Sequence, residues 1–526
     1  MKRRDFVKTL GATGVALYAS DWMGELIAQS PRGRVLESAY KGLSDIALTE
    51  AKRLGCSYAD IRFTRNVNDS VAVRDRIVVD SFGFGGAGLR TSAGFGVRVI
   101  HSGVWGFASS PIAGEDEIRR ITQRAADVAR ASAVAKKFDV RLSPVDAYVD
   151  YWAVPVRVKP EDVSLDDKIQ FLMQITEAAL KQPDVIRVQA QMAFDHEWKY
   201  LATSEGSYIE QEIWRTAPGF TVTARKDGKV KTRTFTVAPK SAGYEVALDA
   251  KMLDNVERIC AEAAEHCTAP PAGLGLKDLI MTPSHAMLTI HEIIAHPTEL
   301  DRVVGYEANY AGTSFIKLED VGKAVIGSKL LNVTCDRTLP GGMCTTGYDD
   351  DGVKAQEWPI IREGLLIDLQ TNRETAHYLN QDFSRGCTFA TSWRNFPFLR
   401  MPNLHVDAGP PGSPTPEEII ADTKDGVLID GRGSYSIDQQ RYNGQFGGDA
   451  FWEIKDGKRT RMLSDVTYNA ITTDFWNNLD AISGPESWEM FGTTGDAKGQ
   501  PVQINHPSHG SPWMRIRRIM VGAAYT

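Results

Sequence analysis

The chain has 526 residues, 42% of them apolar and 24% charged, with a formal net charge of −7. That length exceeds what one hydrophobic core serves, and the composition is that of a globular protein, so two or more domains are expected. No basic tract interleaved with aromatics supports nucleic-acid binding, since the short run Arg515-Ile516-Arg517-Arg518 stands alone in a strand-like terminal segment.

At the start, Arg3-Arg4 precede Asp5-Phe6-Val7-Lys8 and a modestly apolar stretch over residues 9–19, with alanine-containing cleavage options near Ala19 and Ala28. Residues 1–30 thereby resemble a twin-arginine export signal, which implies a periplasmic or otherwise exported protein. No segment reaches the roughly 18 uninterrupted apolar residues of a membrane helix, so no stable span is expected.

Residues 34–54 place Leu36, Tyr40, Leu43, Ala47 and Leu54 at helical spacing. Alternation then predicts strands at 58–63, 70–74 and 77–79, followed by a glycine-rich loop over 83–88 that lacks the Lys-Ser/Thr ending of a phosphate-binding loop. Residues 94–100 and 103–108 read as a hairpin. Helices are expected at 115–134 and 164–181, and strands at 186–202, 209–215 and 220–226. The fold class is therefore α+β, with a mixed helix and antiparallel-strand domain over 34–235. A helix over 246–267 and the turn Pro270-Pro271-Ala272-Gly273 lead into a β-rich second domain, 236–526. Six cysteines form no C-x-x-C pair, and no period of about 20 to 50 residues repeats.

The chemistry concentrates in His291-Glu292-Ile293-Ile294-Ala295-His296. Two imidazoles around a carboxylate suggest a metal site in which the glutamate activates a water, hence a metal-dependent hydrolase. The histidines are five apart. On a regular helix they diverge by roughly 140°, against about 40° for a four-residue spacing. A π-bulge would absorb the extra residue, and Pro297 offers another route by disfavouring α conformation at His296. A helix over 284–295 is expected, with His296 presented as the chain leaves it.

Several further segments, taken together with this one, resemble the TldD/PmbA family of metalloproteases. They are Tyr58-Ala59-Asp60-Ile61-Arg62, Gly94-Phe95-Gly96-Val97-Arg98-Val99, Trp105-Gly106-Phe107-Ala108-Ser109, Gly312-Thr313-Ser314, Tyr348-Asp349-Asp350-Asp351-Gly352, Arg400-Met401-Pro402-Asn403 and Gly444-Gln445-Phe446. Retention of His291, Glu292 and His296 makes the chain look like the metal-bearing TldD type. The resemblance implies a zinc peptidase acting on extended or unfolded peptides, its site enclosed at an interface with an identical or homologous subunit.

One departure stands out. Where the TldD type supplies a cysteine ligand from Gly-x-Cys-Gly, this chain has Gly492-Thr493-Thr494-Gly495, and no cysteine follows Cys387. His509 is the expected third zinc ligand, with His506 and Glu299 as alternatives. In this reading Glu292 is the general base, and Glu299 and Asp301 fit partners that orient the imidazoles. The competing reading is a degenerate subunit that acts as scaffold for a catalytic partner.

Overall fold

The computed structural model describes residues 35–523 apart from Ser81, Gly85 and Gly88, so the expected export signal lies outside the described residues. The first half contains α1 (Ala39–Arg53), β1 (Tyr58–Arg74), β2 (Arg90–His101), β3 (Val104–Ser110), α2 (Glu115–Ser132), β4 (Val149–Ala153), α3 (Leu165–Ala179), β5 (Val185–Thr203), β6 (Tyr208–Lys226), β7 (Lys229–Thr236) and α4 (Val256–Thr268). The strands form one sheet of order β7-β6-β5-β1-β2-β3, antiparallel throughout, with β4 running parallel along β6.

Side-chain alternation decides what each face of this sheet meets. On β1, Ile61, Phe63, Val71 and Val73 share one face, and all four helices pack there: Tyr40 and Ile118 at one end, Leu172 and Ile259 at the other. The opposite face carries Asp60, Arg62, Arg98, Lys199 and Arg215, and it is buried too. It docks on the second domain through charge. Arg98 pairs with Asp351 at 2.6 Å, Lys199 with Asp350 at 3.1 Å, and Arg215 donates to the Met343 carbonyl at 2.9 Å. The acidic run after Tyr348 is thus an inter-domain plug.

Two expectations change in detail. The strands expected at 58–63 and 70–74 are one element, because β2 and β5 pair with β1 across the polar Asn66-Val67-Asn68 stretch. The helix expected over 246–267 breaks at Lys251, whose φ of 49° cannot continue a right-handed helix. The expected hairpin forms, turning through Ser102 and Gly103 at φ 55° and 77°. At Gly106 on β3 an added Cβ would lie 2.0 Å from the Ala125 carbonyl, so only glycine lets α2 pack this closely.

The second domain has two main sheets. It runs through β8 (Gly275–Met281), α5 (Pro283–Ile290), β9 (Val333–Asp336), β10 (Glu357–Arg362), β11 (Leu404–Val406), β12 (Asp425–Asp430), β13 (Tyr435–Ile437), β14 (Asn443–Gly447), β15 (Ala450–Lys455), β16 (Lys458–Leu463), β17 (Val466–Ile471), β18 (Glu489–Gly492), β19 (Asp496–Lys498), β20 (Gln503–Asn505), β21 (Ser508–Ser511) and β22 (Met514–Ala523). One sheet is ordered β13-β14-β17-β22-β8-β12-β15-β16, and the other contains β10-β9-β11-β21-β18. Helix α5 belongs to the core that joins them: Ile290 and Ile293 share a buried cluster with Val427 and Phe446 of the first and Val333 and Leu404 of the second. Among the described residues no helix is long and apolar enough to cross a membrane.

Candidate metal centre

Helix α5 starts where β8 ends. Thr282 is extended, Pro283 occupies the first helical position, and the Thr282 and Ser284 hydroxyls donate to Asp430 at 2.7 and 2.6 Å. After Ile290 the chain makes one π turn over His291–Ala295, in which the His296 N–H donates to the His291 carbonyl five residues back. That step brings the two imidazoles to one side, with ring centroids 4.5 Å apart. Pro297 does not supply the bend: His296 keeps α-helical angles, φ −61° and ψ −45°, and the chain continues into a 3-10 turn, His296–Thr298. The π turn alone accounts for the shared side.

Hydrogen bonds fix which nitrogen of each ring is free. The Leu404 carbonyl can only accept, so His509 donates to it from Nδ1 at 3.1 Å, and His509 Nε2 then accepts from His291 Nδ1 at 2.8 Å. His291 therefore carries its lone pair on Nε2. His296 donates from Nδ1 to Glu299 Oε2 at 2.8 Å, which leaves its Nε2 lone pair free as well. Both Nε2 atoms face a single oxygen, Asp496 Oδ1, at 3.7 Å from His291 and 3.6 Å from His296.

Supporting charges hold this arrangement. Arg400, fully buried, donates to Asp496 Oδ2 at 2.9 Å and to the Asp496 carbonyl at 2.7 Å. Lys498, also fully buried, bridges Glu299 at 2.9 Å and Asp301 at 2.8 Å, while Arg302 grips the other Glu299 oxygen at 2.5 Å. Burial pushes the Glu299 and Asp496 carboxyls up. Lys498 and Arg302 outweigh it at Glu299, and the Arg400 guanidinium outweighs it at Asp496, so both sit well below the usual carboxylate range. Burial, with the Arg302 charge nearby, holds His296 well below an ordinary imidazole. Neutral imidazoles and ionised carboxylates are the protonation states that cation binding requires.

Glu292 is buried beside this triangle. Its Oε2 accepts from Arg441 Nη1 at 3.0 Å, and the ligand atoms of His291, Glu292 and His296 all lie within 4.8 Å of one another. Arg441 sits between β13 and β14 at φ 62°, on a loop braced by Asp438, whose carboxylate accepts from the Tyr442 and Asn443 N–H groups. These groups open on a cleft of about 190 Å³, lined also by Met287, Leu288, Arg432, Tyr435 and Thr493.

The structure brings His291, Glu292 and His296 together. His509 stands behind His291 with both its nitrogens engaged, rather than beside the two Nε2 atoms. His506 turns away: its Nδ1 meets the Thr494 carbonyl at 3.0 Å, its ring packs edge-on to Phe84, and burial lowers its pKa to about 3. Glu299 faces His296 Nδ1, and Asp301 is held by Lys498. Asp496 was not anticipated. The sequence signal for it is an acid directly after Gly492-Thr493-Thr494-Gly495, two positions beyond the residue that replaces the expected cysteine.

The donor set suits a divalent ion. Tetrahedral ligation with bonds of about 2.0–2.2 Å separates donors by roughly 3.3–3.5 Å, close to the spacings between Asp496 and each histidine. Two imidazoles and a carboxylate match the ligand chemistry of catalytic zinc sites.

Three domain models of one metallopeptidase family match the chain: PmbA/TldA domain 1 at residues 59–129, the central domain at 158–266 and the C-terminal domain at 275–523. A metalloprotease of Methanocaldococcus jannaschii is 26% identical over 81% of this chain and 89% of its own length. A Saccharolobus solfataricus protein named zinc metalloprotease TldD homolog is 23% identical over 90% of this chain and 98% of its own. The crystal structure of TldE from Thermococcus kodakarensis superimposes with a TM-score of 0.69 at 15% identity, covering 91% of this chain and 99% of that one, a likeness of fold.

Proposed function

This chain belongs to the PmbA/TldA metallopeptidase family, and we propose that it is a zinc-dependent peptidase in which His291, His296 and Asp496 hold the ion and Glu292 handles the proton. The convergence of two lone-pair-bearing Nε2 atoms on Asp496 Oδ1 carries the reading. When bound, the metal supplies Lewis acidity toward a peptide carbonyl and makes water nucleophilic near neutral pH.

The protein's own groups do the rest. Arg441 holds one Glu292 oxygen, so the carboxylate is fixed in orientation while its other oxygen takes the proton of the attacking water. That proton then goes to the departing amine nitrogen. His509 keeps His291 in the tautomer that presents Nε2, and Glu299 does the same for His296.

Substrates in this proposal are extended or unfolded peptides, since a cleft of about 190 Å³ is too small to admit a folded chain. In the same proposal a homologous subunit or a second copy encloses the site, and the resemblance of residues 1–30 to a twin-arginine signal supports a periplasmic or otherwise exported enzyme. The scaffold alternative rested on the missing cysteine ligand, and the Asp496 carboxylate supplies a donor in its stead.

The test is metal analysis of the purified protein alongside hydrolysis of an unstructured peptide. About one zinc per chain, with activity removed by a chelator and restored by zinc, is the expected result. Full activity in chelator-treated protein refutes the proposal.

A further inference from the structure

Among the described residues the cations around the metal centre are spent, with one exception. Arg302 is paired with Glu299, Arg400 with Asp496, Arg441 with Glu292, and Lys498 with Glu299 and Asp301. Arg432 lines the same cleft, and among the described residues no carboxylate lies within ion-pair reach of it. Its guanidinium rests 5.7 Å above the centroid of the Tyr435 ring, and one nitrogen donates to the Thr493 hydroxyl at 3.3 Å. A guanidinium has five donors in a planar fork that matches a carboxylate in two-pronged fashion, so most of this one's capacity is unused.

The backbone beneath Arg432 is tied to the helix that leads into the metal ligands. On one side, Gly431 accepts from His285 Nδ1 at 2.8 Å and donates to Ser284 Oγ at 3.0 Å, both on α5. On the other, the Gly433 N–H donates to the Gly447 carbonyl at 3.1 Å, and a Cβ at Gly433 would meet the Gly448 carbonyl at 2.5 Å. The side chain is exposed, yet its root cannot shift independently of α5. An arginine on rigid backbone, steadied by an aromatic face and left without a counter-ion at the mouth of a catalytic cleft, is preorganised for an anion.

We propose that Arg432 is a specificity-determining residue that recognises a carboxylate of the peptide substrate near the bond to be cut. The carboxylate is either the chain's C-terminus or an Asp or Glu side chain; the chemistry of recognition is the same for both. This deepens the peptidase reading and rests on it. The Arg432 guanidinium takes no part in the chemistry at the scissile bond.

The experiment measures peptide binding by fluorescence anisotropy on the zinc-loaded Glu292→Gln protein, in parallel with hydrolysis by the wild type. Three versions of one unstructured peptide serve as probes: a free C-terminus, a C-terminal amide, and the amide with Asp scanned along the sequence. A charge-assisted, two-pronged contact is worth roughly tenfold in affinity, so carboxylate forms are expected to bind about that much more tightly than the plain amide. The C-terminal and Asp-scan arms identify which carboxylate is read. Adding Arg432→Ala should collapse the ratio toward one, Arg432→Lys should retain part of it, and Arg432→Glu should transfer the preference to a Lys-scanned peptide.

Equal binding of carboxylate and amide forms, a ratio that survives Arg432→Ala, or no binding of any probe overturns the inference. If the wild type cuts no peptide while Glu292→Gln still discriminates through Arg432, the peptidase reading fails and the recognition stands.

Discussion

Replacing Asp496 is the sharpest test of the centre. Its Oδ1 faces His291 and His296 at 3.7 and 3.6 Å, and its Oδ2 satisfies the fully buried Arg400. Asp496→Ala therefore removes a proposed ligand and strands a buried guanidinium at once. Breaking a buried pair by deleting one partner costs about 3–5 kcal/mol, so this variant should melt well below the wild type even without metal. Asp496→Asn separates the effects, because its amide oxygen can still accept from Arg400 while the ligand charge is gone. Zinc affinity, measured by competition with a chromophoric chelator, should fall by more than the roughly 10–100-fold that follows loss of an outer partner. Asp496→Cys should recover zinc binding through a thiolate. Wild-type zinc affinity in Asp496→Asn, with its fold intact by circular dichroism, would refute the assignment of the third donor.

Glu292→Gln should keep zinc and lose peptide hydrolysis by several orders of magnitude; unchanged turnover removes Glu292 from the proposed chemistry. His509→Ala should weaken zinc binding by about 10–100-fold, since His291 loses the partner that fixes its tautomer, and an unaltered affinity would deny His509 that role. Burial lowers the His285 pKa to about 4, against about 6.5 in an unfolded chain. Between those values the unfolded state binds the extra proton, so metal-free protein should lose stability as pH falls below 6.5, by roughly 3 kcal/mol from this residue once pH 4 is reached. Melting temperatures that stay flat from pH 7 to pH 4 would contradict the sign.

The local half of the centre was legible because it is local. Spacing alone singled out His291, Glu292 and His296, and the mismatch of five residues with a regular helix called for a departure from it, of which the π turn that is present is one of the two routes expected. Glu299 was readable as a partner for His296 at three residues' distance. Asp496 and Arg400 were not: they lie about 200 and 100 residues downstream, on a hairpin and just past the two-residue strand Phe398–Leu399, and only tertiary structure makes them neighbours. The resemblance drew attention to the position of the lost cysteine and, from there, to the nearest histidines. His509 does come to the centre, but β21 carries it to the rear of His291. Strand alternation predicted the strands of the first sheet, whereas nothing in Asp60 or Arg62 announces that Asp350 and Asp351 cover its charged face.

The lengthened turn after α5 divides responsibility for the metal between two independent parts of the chain. One short segment contributes both nitrogens, the proton carrier and a brace; its π turn sets their common side, and His509 and Arg441 from elsewhere in the chain fix the orientation of His291 and Glu292. The third donor proposed here, Asp496, arrives on the separate β19–β20 hairpin, anchored by Arg400. A lineage can therefore exchange sulfur for oxygen at that hairpin, retuning the hardness of the ligand set, while the paired rings stay where they are.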